Sequence, residues 1–190
     1  GKQLSRVTQD GADVVALEVL HDDEKTTRFD ILHDMTKAVI AGDVRAMIVT
    51  GPPGVGKSYG VEKELDKASM MDSIAGRPIK YEVVKGAMTA LGLYATLYRH
   101  ADANPVLVFD DCDSVLMDEL SLNILKAALD SGKKRVLHWN ADSNKLRSEG
   151  IPDKFEFKGG VIFITNVKFE NVRSRKLQDH LEALQSRCHY

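Results

Sequence analysis

The sequence predicts an α/β fold, a parallel sheet of about five strands with helices on both faces, three layers deep. Three observations predict it. From about residue 45 onward, apolar runs of strand length alternate with segments of helical periodicity, the pattern of parallel strands joined by crossover helices. One run, Val106-Leu107-Val108-Phe109-Asp110-Asp111, is apolar throughout and then ends on two carboxylates. That is the behaviour of a strand buried on both faces whose C-terminal end meets a ligand. Finally, a glycine-rich octapeptide, residues 51–58, joins the strand-like Ala46–Thr50 to a helical pattern.

Four runs read as strands: 45–50, 79–84, 106–110 and 161–165. Helices are predicted to start at Lys57, near Ala87 and at Ser114. The last of these puts Leu116, Leu120, Ile124 and Ala128 on one face, with Asp118 and Glu119 in its first turn and Gly132, Lys133 and Lys134 just past its end, the polarity that a helix dipole favours. A further helix over 174–184 aligns Leu177, Leu181 and Leu184, and a final strand begins at His189-Tyr190. Near the N-terminus, 27–40 carries Phe29, Leu32, Met35 and Val39 at helical spacing, while the first twenty-odd residues form an arm or an added strand. Residues 135–139 and 154–157 are short apolar segments flanking a polar stretch, 140–152, and predict a β-hairpin inserted before the fourth strand.

At 190 residues, 43% hydrophobic and 28% charged, the chain is sized for one core and reads as a single domain, 1–190. No stretch of about 18 apolar residues and no charged-then-apolar leader is present, so no membrane partner is expected and the cytoplasm is the default compartment. The chain starts at Gly1 rather than Met, which reads as processed or trimmed. Cys112 and Cys188 lack metal-ligand or disulfide spacing. A net charge of −2 excludes a uniformly basic nucleic-acid coat. Residues 133–173, however, carry nine Lys and Arg against five acids, either a solvated face or an interaction surface.

The octapeptide Gly51-Pro52-Pro53-Gly54-Val55-Gly56-Lys57-Ser58 carries the chemistry. Glycines let backbone N–H groups close around a phosphate at a helix N-terminus. Lys57 then reaches the terminal phosphates, and Ser58 offers a hydroxyl to Mg²⁺. A plain Gly/Pro turn is the alternative, and it leaves the lysine, the hydroxyl and the strand-loop-helix context to chance. The octapeptide reads as a complete P-loop, and the chain as a binder of a nucleoside triphosphate.

The order of motifs after that loop resembles the large α/β subdomain of AAA+ ATPases, over roughly residues 28–190. Residues 106–111 look like a Walker B element. The resemblance implies that Asp110 holds Mg²⁺, and that the next carboxylate, Asp111, orients and deprotonates the water that attacks the γ-phosphate. Many relatives carry Glu at the second place, and the shorter Asp111 implies slow hydrolysis or a closer approach of the water. Asp111 and Asp113 have a second reading as caps of the following helix. Asn166, ending the strand at 161–165, stands at the sensor 1 position. Leu184-Gln185-Ser186-Arg187-Cys188 resembles the Ser-Arg-Cys motif of clamp-loader subunits, which makes Arg187 the arginine finger for a neighbouring subunit's site, with Arg173 and Arg175 in reserve. The family's helical lid is not evident.

What the resemblance implies is an ATP hydrolase, with 45–190 as nucleotide-binding core and 1–44 as N-terminal arm and helix. It would take ATP and Mg²⁺ as cofactors and work as a homo-oligomeric ring, a hexamer, with shared sites. The basic hairpin and the Ser-Arg-Cys likeness point to DNA as the polymer acted on. Residues 86–94 resemble the pore loop of protein unfoldases, with Leu91-Gly92 in register but Ala90 where an aromatic is usual. Polypeptide remodelling is therefore the alternative, and core packing of Met88, Leu91 and Tyr94 the plainer reading of that segment. A nucleotide-gated scaffold with little hydrolysis is the third possibility, on the Asp111 replacement.

Overall fold

A computed structural model describes residues 14–18, 25–77, 81–102, 106–129 and 134–168, together with Arg175 and Asp179. The strands at its centre are continuous apolar runs, and their burial explains the architecture. Strands β2 (Ala46–Thr50) and β4 (Val106–Asp110) are buried at every position, which requires cover on both faces. Between them lies β7 (Gly160–Thr165). Alternation sorts their side chains. Met47, Val49, Val108, Ile162 and Ile164 pack to one side, and Ile48, Leu107, Phe109, Val161 and Phe163 to the other.

The first side is covered by α1 (Lys25–Ala41) and α2 (Lys57–Ile74), through Leu32, Met35 and Val39 of the one and Val61 and Leu65 of the other. The two helices meet closely at Gly60, where a Cβ would stand 2.8 Å from Leu32 Cδ2. The second side is covered by α3 (Ala90–Arg99), α4 (Glu119–Ala128) and a two-stranded antiparallel sheet of β5 (Arg135–His138) and β6 (Lys154–Phe157). The result is an α/β fold of three layers.

Among the described residues the main sheet has five strands, all parallel, in the order β1-β2-β7-β4-β3, with β3 spanning Tyr81–Lys85. Its edge beside β2 is filled by β1 (Val14–Glu18), paired from Val14↔Ala46 to Glu18↔Thr50. Residues 14–18 are thus an added strand rather than an arm, and they form the fifth strand of this sheet. The predicted final strand at His189-Tyr190 and the helix over 174–184 lie outside the described residues.

Two helix predictions are corrected. No helix runs on from Ser114. A 3₁₀ turn covers Asp113–Met117, the chain extends at Asp118, and α4 begins at Glu119. The Asp118 side chain causes the break, because it accepts from the Ser121 N–H at 2.9 Å and the Ser121 hydroxyl at 2.7 Å as an N-cap. Helical phase restarts there, so Leu120 is 50% exposed while Leu122 and Leu125 are buried. Similarly, α3 starts at Ala90 rather than near Ala87, because Thr89 Oγ1 accepts from the Gly92 N–H at 3.0 Å. Residues 90–94 therefore belong to α3, and 86–89 form the connection from β3. Leu93 and Tyr94 are fully buried, and Met88, Ala90 and Leu91 pack against the same core.

The inserted hairpin is present, in register from Arg135↔Phe157 to His138↔Lys154, and its connection contains a short helix, α5 (Asn144–Ser148). It packs on its own domain. Tyr94 meets Phe155 edge-on at 5.1 Å and Trp139 at 5.6 Å, and Tyr98 meets Phe155 at 5.2 Å. Arg135, counted above with the basic segment, is buried. It donates to the carbonyls of Ala128 and Gly159 and lies 4.9 Å from the Phe157 ring centre. Lys134, Lys145, Arg147, Lys154 and Lys158 are exposed. No helix among the described residues is long and apolar enough to cross a membrane.

Candidate functional site

The C-terminal ends of β2, β4, β7 and β3 open into one cavity of about 500 Å³. Its floor is the glycine-rich loop. Gly54 and Gly56 have φ of 81° and 90°, the left-handed region that costs side-chain-bearing residues most. Gly56 is the N-cap of α2 and has no side chain to satisfy the first N–H groups of that helix. A helix start left uncapped and turned to a cavity is a partial positive charge offered to an anion.

Lys57 is the first residue of α2 and only 5% exposed. Its ammonium donates to the carbonyls of Gly51 at 2.7 Å and Pro52 at 2.8 Å, and to Asn166 Oδ1 at 2.9 Å. Burial lowers its pKa, and the charges of Asp110 and Asp113 oppose that shift. Three oxygen acceptors satisfy an ammonium without a bound counter-ion. Ser58 Oγ donates to Asp110 Oδ1 at 2.9 Å, so the hydroxyl and the carboxylate lie together at the ends of α2 and β4. Among the described residues, no three His, Cys, Asp or Glu side chains gather as a metal cage.

Asp111 follows with φ 57°, alone among the described non-glycine residues in having positive φ. Its carboxylate is exposed and lines the cavity. Such strain, about 1–3 kcal/mol, persists where the surroundings hold it and is concentrated at functional sites. Neither Asp111 nor Asp113 caps a helix. The N-cap of the 3₁₀ turn is Cys112, without a side-chain hydrogen bond. Asp113 Oδ1 instead accepts from Thr165 Oγ1 at 2.8 Å, tying the turn after β4 to the end of β7. Cys112 is buried, and burial, with the three neighbouring aspartates, pushes its thiol up to about 11, which makes it an inert packing group.

The structure brings Pro53, Gly54, Gly56, Lys57, Ser58, Asp110, Asp111 and Asn166 to the cavity wall. Gly51 and Pro52 take part through their carbonyls, and Val55 packs against the core on the α1–α2 side. Arg187 and Arg173 lie outside the described residues, and Arg175 is exposed. Three cavity residues escaped the sequence reading. Lys85 ends β3 in register with Asp110, and its ammonium stands 3.7 Å from Asp110 Oδ2 and 3.6 Å from Glu62 Oε1. Thr165 and Tyr59 complete the wall. A lysine closing an apolar run just before Gly86 was the available signal for the first.

Over 191 aligned residues the chain is 38% identical to an uncharacterized 36.7 kDa protein of Enterobacteria phage T4, encoded in the nrdC-mobD intergenic region. The match takes in 98% of this chain and 57% of that protein, so the chain spans a little over half the length of its relative. No protein-family model matches the sequence. No solved structure matches it either.

Proposed function

We propose that the chain is an ATP-hydrolysing module of the AAA+ type, with its site completed by a neighbouring subunit of a homo-oligomeric ring, acting on DNA or a DNA-bound complex. One observation carries the catalytic part. Lys57, Ser58, Asp110 and Asn166, drawn from three separate parts of the sequence, are hydrogen-bonded in two pairs around a single cavity floored by left-handed glycines. A hydroxyl beside one carboxylate, with no fuller cage, suits Mg²⁺ held jointly by protein and phosphate oxygens. Bound there, the ion neutralises charge on the phosphates.

The chain's own groups divide the remaining work. The loop's backbone N–H groups and the start of α2 hold the triphosphate, and Lys57 gives its ammonium to the terminal phosphates in place of the carbonyls. Asp111, exposed at the cavity, accepts a proton from the attacking water, and the Asn166 amide orients that water. Arg187 of a neighbouring subunit stabilises the charge spread over the transferring group, a contribution of about 10³–10⁵ in rate where such a finger operates. ATP is chosen on the family resemblance.

DNA is favoured over polypeptide by the burial of Leu93 and Tyr94 in α3 and the packing of Ala90 and Leu91 against the same core, which weakens the support for a gripping loop. Exposed Lys145 and Arg147 in the β5–β6 connection offer phosphate contacts. The deciding experiment is steady-state ATPase at several protein concentrations, with and without single-stranded and duplex DNA, for the wild type, Asp111→Asn and Arg187→Ala. A rate that climbs faster than protein concentration, rises with DNA and is lost in both variants supports the proposal. A rate indifferent to concentration and to Arg187→Ala rules out the shared site.

A further inference from the structure

We propose that Tyr59 is the base-stacking residue of this cavity, its ring forming the shelf for the aromatic base of a nucleotide whose phosphates lie on residues 51–58. The inference rests on the nucleotide reading above and adds the residue that meets the base. Tyr59 follows Ser58 directly in the first turn of α2 and lines the same cavity. It is 70% exposed, and no other Phe, Tyr or Trp ring whose burial is described stands exposed.

Core packing does not explain that ring. Helix α2 buries Val61 and Leu65 against the sheet, and an apolar ring left in water at a cavity rim loses the burial that aromatic residues ordinarily gain. Among the described residues its one polar contact is Lys63, one helical turn on, with Nζ 6.0 Å from the ring centre. A cation at that range is attracted to the ring face and restrains it. Among the described residues five other large apolar side chains are exposed, Met70, Met71, Ile74, Met117 and Leu120, and none of them lines this cavity.

Stacking suits any base, because every base has a π-face. Tyr59 therefore separates nucleotides from bare polyphosphates, favours the larger purine ring over a pyrimidine, and does not by itself tell adenine from guanine. Its contribution is separable from that of Lys57. The loop and the ammonium hold phosphates in either kind of ligand, and the ring matters only where a base is attached.

The test is calorimetric titration of the wild type, Tyr59→Ala and Tyr59→Phe with ATP and with inorganic tripolyphosphate, each with Mg²⁺. Tyr59→Ala is expected to weaken ATP binding roughly 5- to 150-fold, the range for loss of one base–aromatic stack. Tripolyphosphate binding is expected to be unchanged, and Tyr59→Phe to keep both affinities. Unaltered ATP affinity in Tyr59→Ala, or equal loss of both ligands, overturns the assignment. A wild type that binds tripolyphosphate and ATP equally well overturns it too while leaving the phosphate site standing, whereas a wild type that binds neither removes the nucleotide reading itself.

Discussion

The two flanks of the central sheet's second half are built in opposite ways. At the hairpin, α3, β6 and the residue just past β5 form an aromatic cluster in which Tyr94, Tyr98, Phe155 and Trp139 interlock, and the Tyr94 hydroxyl donates to the Pro152 carbonyl at 2.7 Å. At the C-terminal strand ends, the loop turns through left-handed glycines, Asp111 holds φ 57°, and an ammonium is buried at 5% exposure. Local preference and tertiary fold agree in the first region and conflict in the second. Such conflict is sustained by the surrounding structure and clusters at functional sites.

Removing the aromatic anchor sharpens the contrast most. Tyr94→Ala empties a fully buried site and is expected to destabilise the fold by about 3–5 kcal/mol in denaturant titration. Tyr94→Phe keeps the ring, loses only the hydrogen bond to Pro152 and is expected to cost about 1 kcal/mol. It also bears on alkaline stability. Burial, with Asp153 adding, pushes the Tyr94 phenol from 10.0 up to about 12. The folded state therefore holds a proton that the unfolded chain releases, so this contribution is complete below pH 10 and is lost as pH rises toward 12. Wild-type stability should fall more steeply over that interval than that of Tyr94→Phe, as read by the urea midpoint.

At the strand ends the sign reverses. Asp111→Gly relieves a backbone conformation that glycine adopts freely, and is expected to raise stability by about 0.5–1 kcal/mol while abolishing turnover. A destabilised variant would mean that the carboxylate contributes more to the fold than its strain removes. The smallest effect is expected at Lys85, whose exposed ammonium pairs with Glu62 and with the buried Asp110 and contributes about 0–1 kcal/mol. Lys85→Ala should leave the melting temperature nearly unchanged, and should lower the Mg²⁺ concentration needed for half-maximal ATPase, because Asp110 loses a competing cation.

Much of this arrangement was legible in the sequence because it is local. The strand at Val106–Asp110 and the segment Lys154–Phe157 stand where their apolar patterns place them, and the loop at 51–58 announces itself by residue type. What was missed depends on partners distant in sequence or on side chains that override periodicity. Leu120 fitted a helical face until Asp118 captured Ser121 and reset the phase. Lys85 acquires its role only through the register that sets it opposite Asp110. Between the arm and the added strand that the sequence left open for the first twenty-odd residues, pairing with β2 decides for a strand at Val14–Glu18. Asp113 resembled a cap and instead grips Thr165 across the sheet.

The central claim, that Lys57 and its loop form a triphosphate site, is tested most directly by thermal unfolding of the wild type and Lys57→Ala across a Mg²⁺–ATP titration. A ligand that binds only the folded state stabilises it by about 2.7 kcal/mol at 100 times its dissociation constant. The account predicts a melting temperature that climbs with ATP in the wild type and stays flat in Lys57→Ala. An equal rise in both proteins, or none in either, would contradict it.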